Sequence, residues 1–435
     1  MKALCATEVN PQGRALAWWP LIAAFAVLAV LCAVYFAWPV WRAYFPLEID
    51  TNEPWNAYHA DAVASGQVLY PAATSLVGNN YPPLSFYLVA ALAAGTFDAL
   101  YVGRMLSIAA TLAISLAVMV LVRQLAASRA AAVLAGLWFL ATLARFFAPY
   151  VGMNDPNLLA LAIMSWALVW LMRRLAAGRA VEPAILLMAV AGFFKHNVMA
   201  IPLTAFVWLG YIDRRQAVRA AAVGVAAVAL GLAICGLAWG NAFFAQLFMP
   251  RGLDLAHLWG GLGRLQWIAP ALAIVVIWIP YDWQNPAARF AAALVASAFA
   301  LHCVEKLGDG VADNAQFELV AATAVGIGVA FDRVEATPAA RRWGIDGCRL
   351  AIVAVLVARL LASMNTVPYR VIVSPAFRAL LHERRGSAGG GRPHPGDPGA
   401  GRLLDRDGVP HGRQAAVDRC LHGRAAASLR PADAA

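Results

Sequence analysis

Carboxylates, amides and aromatic rings gather at residues 47–87, and they define the chemistry to look for. The stretch carries Glu48, Asp50, Glu53, Tyr58 and His59, and closes on Asn79-Asn80-Tyr81-Pro82-Pro83-Leu84. A carboxylate at a membrane edge, tuned by its neighbours, serves as a general base or binds a divalent cation. The plainer role is a solvated acidic loop. Trp55 and Tyr58 weigh against that role, because a spacer rarely carries large rings, although such rings also form interface belts. Pro82-Pro83 fixes the backbone of the turn.

Four more polar groups belong to the same inventory. Asp155, in Asn154-Asp155-Pro156-Asn157, fits a helix N-cap ahead of a first-turn proline, and it is also the candidate second carboxylate. Lys195-His196 stands out because Lys2, Lys195 and Lys306 are the only lysines in the chain. An ammonium facing lipid headgroups either snorkels or pairs with a lipid-linked phosphate. The run Glu305-Lys306-Leu307-Gly308-Asp309-Gly310-Val311-Ala312-Asp313-Asn314 offers a glycine-turned loop ending in cap residues. Arg251, Asp254 and His257 can join it.

The elements that must hold these groups are apolar. The 435 residues are 62% hydrophobic and 13% charged, against about 25% charged in a soluble protein. Repeated apolar runs near the ~20-residue bilayer length predict an all-α polytopic membrane protein. The net charge of +10 does not point to nucleic acid, since the arginines sit in short loops between apolar runs and in the tail. The six cysteines are scattered, with neither zinc spacing nor a disulfide framework.

The predicted spans are 15–41, 104–122, 131–148, 157–172, 182–194, 198–212, 219–240, 266–281, 289–304, 316–331 and 350–364. The first is read as a signal anchor behind a cytoplasmic N-terminus, residues 1–14. Eleven crossings put Arg123, Arg129, Arg173, Arg174, Arg179, Arg214, Arg215, Arg219, Arg289, Arg333, Arg341, Arg342 and Arg349 inside. Every group named above then falls on the outer face. Residues 42–103 form the first outer loop, in which 84–94, half a bilayer long, is predicted to lie in the interface. From 384 to 435 the composition turns to Arg, Gly, Pro, Ala, Asp and His, which predicts disorder. That bias also resembles GC-rich DNA translated out of frame.

Taken in order, these residues resemble the GT-C superfamily of integral-membrane glycosyltransferases. Within it, the likeness is to the bacterial branch related to protein mannosyltransferases and lipid A aminoarabinose transferases. It is carried by Asp50-Thr51-Asn52-Glu53 with Tyr58, Tyr81-Pro82-Pro83-Leu84, Gly103-Arg104-Met105-Leu106-Ser107, Asp155, Lys195, and Gly308-Asp309-Gly310 with Asp313-Asn314, and it covers roughly residues 15–375. The resemblance implies a GT-C-like fold and inverting transfer of a hexosyl or pentosyl group. The donor would be a polyprenyl-phosphate-linked sugar and the acceptor a lipid or glycan, at the periplasmic face of a bacterial inner membrane. By position, Asp50 or Glu53 is the base or acceptor-orienting group and Asp155 the second acid. Lys195 and Arg104 would meet the donor phosphate. Tyr58, His59, Tyr81, His196, Lys306, Asp309, Asp313 and Asn314 complete the candidate substrate contacts. The Asp-x-x-Glu spacing departs from the adjacent Asp-Glu common in relatives. The competing reading is a transporter or lipid flippase without catalysis, which mid-span charges would favour. A structural or partner-binding membrane protein is a third.

Overall fold

The structure, a computed structural model, describes residues 11–45, 47–72, 77–94, 97–126 and 128–366, with 374, 375 and 379. The chain divides into a compact unit ending at Ala362 and a second unit from Ser363, and only the first is described below. The predicted disordered tail 384–435 lies outside the described residues.

Among the described residues of this unit the named elements are all helices. In order come α1 (Pro11–Arg42), α2 (Asn52–Ala64), α3 (Leu84–Ala93), α4 (Ala99–Leu125), α5 (Arg129–Phe146), α6 (Pro156–Ala176), α7 (Glu182–Gly192) and α8 (Ala200–Ile212). They are followed by α9 (Arg214–Leu247), α10 (Leu255–Arg264), α11 (Ala269–Trp278), α12 (Pro286–Lys306), α13 (Phe317–Asp332), α14 (Pro338–Trp343) and α15 (Ile345–Ala362). α13 is the centre. Every residue of it except Glu318 and Asp332 is buried, as a helix apolar all round must be. Gly326 and Gly328 let it approach α11 and α4 closely, since a Cβ at either would overlap Val275 or Val122. α9 is the opposite case. Along its 34 residues only Ala220, Cys235, Phe243 and Gln246 are buried, so most of its surface is left for lipid. Gly240 breaks it at φ 60°, ψ −149°, a conformation open essentially to glycine alone.

Among the described residues, seven helices are long and apolar enough to cross a membrane, and eight if the bent pair 255–267 and 269–282 is one span. The predicted eleven is therefore not reached by length and composition. The remainder falls on α7 and α8, of 11 and 13 residues, which reach only about 17 and 20 Å at 1.5 Å per residue. It also falls on α15, which carries Asp346, Arg349 and Arg359. The short helix expected at 84–94 is present as α3.

At one end of the bundle the connections clasp one another. Arg42 donates to the carbonyls of Ala148, Pro149 and Val151, and Asn56 Nδ2 to Asn154 O at 2.7 Å. The Leu84 amide donates to Phe193 O. Backbone groups in these loops that local turns leave unpaired find partners through such long-range bonds.

Candidate functional site

A cavity of about 970 Å³ opens at this end. Its wall combines amides (Asn52, Asn79, Asn80, Asn197, Gln246, Asn314), rings (Trp55, Tyr81, Tyr150) and two cations, Lys195 and Arg251. Among the described residues, Glu305 is the one carboxylate in that lining. Rings and amides suit a sugar, and paired cations suit a phosphate.

Lys195 and its neighbours are placed by the turn between α7 and α8. The Glu318 carboxylate of α13 accepts the amides of Met199, Ala200 and Ile201 at 3.1, 2.8 and 3.2 Å, and so caps α8. Lys195 is 3% exposed, and its ammonium lies 3.0 Å from the Tyr81 ring centre, a cation–π contact. Tyr81 is itself set by Tyr70, whose hydroxyl donates to its carbonyl, and by Asn79 Oδ1, which accepts its amide. Lost solvation, then Lys195 and Arg251, push the His196 pKa down to about 4, so this ring is neutral at neutral pH. Asn197 and Glu305 both line the cavity.

The first loop is tied on by α9. Gln246 Oε1 accepts the Asn79 amide and Gln246 Nε2 donates to Pro71 O, each at 2.5 Å. His59 sits inside α2, 1% exposed, against Phe86, and burial lowers its pKa. Tyr58 on the outer side of α2 is 50% exposed and does not line the cavity.

The carboxylates differ sharply in setting. Glu53 is fully buried. It accepts Arg104 Nε and Nη2 at 2.7 and 2.6 Å, the Ile49 amide at 2.9 Å and the Asn154 amide at 3.1 Å. Arg104 also donates to the carbonyls of Ala43, Phe45 and Leu47. The two residues face each other, and neither lines the cavity. Gly103 makes the pin possible, because a Cβ there would overlap Asn154. Asp50 is half-buried; its Oδ1 accepts the Asn52 amide and side chain at 2.9 and 3.0 Å. Asp155 caps α6 by accepting the Asn157 amide at 2.8 Å. Asp155 and Asp50 both act on Tyr150, whose buried phenol pKa they and Tyr81 push further up.

The loop after α12 is divided. Asn314 reaches the cavity. Lys306 turns away and donates to the carbonyls of Val311 and Ala312 at 2.9 and 2.8 Å. Asp313 pairs with Arg264, and Asp309 with His257 at 3.2 Å. Of the residues expected at the site, Tyr81, Lys195, His196 and Asn314 line the cavity, and Asp50 adjoins it beside Thr51 and Asn52. Glu53, Arg104, Tyr58, His59, Asp155, Lys306, Asp309 and Asp313 do not line it. The sequence reading missed Gln246, Glu318 and Tyr150 altogether and gave Glu305 no role. Among the described residues no three His, Cys, Asp or Glu side chains are grouped to hold a metal.

No protein-family model and no curated protein sequence matches the chain. Solved structures do. ArnT from Cupriavidus metallidurans bound to undecaprenyl phosphate superposes with a TM-score of 0.54 at 17% identity, covering 83% of this chain and 70% of that one. Its apo form gives 0.53 at 17%, covering 85% and 71%. An oligosaccharyltransferase from Archaeoglobus fulgidus in the apo form gives 0.50 at 11%, covering 84% of this chain and 59% of its own length. The architecture shared with these transferases makes this an all-α membrane protein of GT-C-like fold.

Proposed function

We propose that the chain is a membrane glycosyltransferase that moves a sugar from a polyprenyl-phosphate donor to a lipid or glycan acceptor. The observation that carries this is the cavity, where Lys195 and Arg251 stand among six amides and three rings on a fold shared with an undecaprenyl-phosphate-bound transferase. Lys195 and Arg251 stabilise the negative charge that grows on the phosphate as it leaves. Trp55, Tyr81 and Tyr150 with the amides hold the sugar. Asp50, beside the wall, takes the proton of the acceptor hydroxyl as it attacks the anomeric carbon. Glu53 and Arg104 act as positioning residues that hold α2 and Asp50 against α4 and the 147–155 loop. The arginines of the α4–α5, α6–α7 and α8–α9 connections lie at the helix ends opposite the cavity, which supports a cytoplasmic N-terminus and a periplasmic cavity in the inner membrane.

The test is transfer of radiolabelled sugar from polyprenyl phosphate in membranes carrying the wild-type chain, Asp50→Asn or Lys195→Met. Transfer by wild type that fails in both variants supports the proposal. Full transfer in both variants refutes these roles, and lipid movement without transfer makes the chain a flippase.

A further inference from the structure

The two cations of the cavity wall are held in different ways. Arg251 is exposed and donates to Asp309 O at 3.3 Å. Lys195 is 3% exposed, yet among the described residues no oxygen takes a hydrogen bond or ion pair from its ammonium. A buried ammonium with unmade hydrogen bonds is costly, and such a group in a native fold calls for a reason. Its partner is the Tyr81 ring, whose centre lies 3.0 Å from Nζ. The ring attracts the ammonium through its quadrupole, most strongly where water is excluded. It offers no lone pair to the three N–H donors, which stay available to an oxyanion.

Ring and ammonium meet because two segments are anchored to each other. The Leu84 amide donates to Phe193 O at 3.1 Å, which ties the Tyr81-Pro82-Pro83 turn to the turn that carries Lys195. The Tyr81 amide donates to Asn79 Oδ1 and its carbonyl accepts the Tyr70 hydroxyl. Both supports lead to α9: the Asn79 amide donates to Gln246, and the Tyr70 ring packs edge-on against Trp239 and Phe243, each at 5.1 Å between centroids. Resting on the donor site proposed above, we infer that Tyr81 is a positioning residue for the donor phosphate. Its ring face holds the Lys195 ammonium at the cavity wall, out of water and already ordered, and the phosphate completes the hydrogen bonds that the ring leaves unmade. A lysine ordered only on binding would cost the ligand the freedom of that side chain. Here that freedom is already lost in the empty cavity, a difference of up to about tenfold in affinity.

The probe is undecaprenyl phosphate, which carries no sugar and so reads the phosphate end alone. Its binding to the full chain in detergent is measured for wild type and for variants at 81 and 195. Tyr81→Leu is expected to weaken binding by up to about tenfold, and Tyr81→Phe to restore it. A trifluorinated phenylalanine at position 81 keeps the shape and packing of the ring but weakens the charge on its face. It is expected to bind as weakly as Tyr81→Leu. In the Lys195→Met background, Tyr81→Leu is expected to cost nothing further. Binding by the fluorinated chain equal to that of Tyr81→Phe means that the ring only packs, and overturns the inference. An undiminished cost of Tyr81→Leu without Lys195 also overturns it, and both results leave the donor site standing. Absence of binding by wild type, or wild-type affinity in Lys195→Met, removes the donor site and the inference together.

Discussion

Replacing Glu53 by Gln tests the pin between α2 and α4. The carboxylate accepts four hydrogen bonds, two from Arg104 and two from backbone amides. A Gln can keep two acceptor contacts through Oε1, but its NH2 would face donors and leave the Arg104 charge unpaired in a site with no solvent access. Breaking one side of a buried pair costs about 3–5 kcal/mol. At about 2 °C per kcal/mol for a chain of this size, unfolding falls by roughly 6–10 °C. Tryptophan fluorescence during heating in detergent reads the shift. The double variant Glu53→Gln/Arg104→Met is expected to lose less than the sum of the two single variants, because neither charge is then stranded. The carbonyls of Ala43, Phe45 and Leu47 keep it below wild type. Should Glu53→Gln melt at the wild-type temperature while sugar transfer stops, Glu53 is a chemical group and the pin is wrong.

Other perturbations separate the remaining roles. Lys195→Met is expected to weaken binding of undecaprenyl phosphate about 10- to 100-fold, the worth of one charge-assisted contact; equal affinity in a filter-binding assay would remove Lys195 from the site. Gln246→Leu leaves the Asn79 amide and the Pro71 carbonyl without their partner. Protease cleavage within 65–80 should rise while the bundle core resists, and an unchanged digest would refute the clasp. His196, held down to about 4 against about 6.5 when free, remains neutral in the fold while the unfolded chain takes up a proton. Its contribution to stability is present above pH ~6.5 and lost as pH falls toward 4. His196→Gln should flatten that part of the melting-temperature profile.

What was legible in the sequence follows from what each signal encodes. Apolar run length encodes helices, so all eleven predicted spans fall on helices, and Pro82-Pro83 marks the start of α3. Run length does not encode depth, which is why α7 and α8 read as crossings although they are too short to span alone. Charge parity brought Lys195, His196, Tyr81 and Asn314 to one end, where they do line one cavity. Side-chain direction is the missing information. Glu53 and Arg104 are 51 positions apart, and nothing in their spacing says that they satisfy each other. Gln246 and Glu318 sit in apolar helices with no local motif, and their partners are backbone groups far along the chain. Such partners become visible only when the loops are folded together.

The break in α9 at Gly240 divides that helix between two environments. Below it, residues 214–239 span about 39 Å at 1.5 Å per residue, enough for a bilayer with tilt. Above it, Phe243 and Gln246 turn inward to the aromatic cluster with Tyr70 and to the cavity wall. The lower segment can therefore change tilt or composition to match a thicker or thinner membrane, with the hinge absorbing the difference. Contact with lipid and contact with the cavity wall fall in this way to separate parts of one helix, and a residue with a Cβ at 240 would strain the break between them.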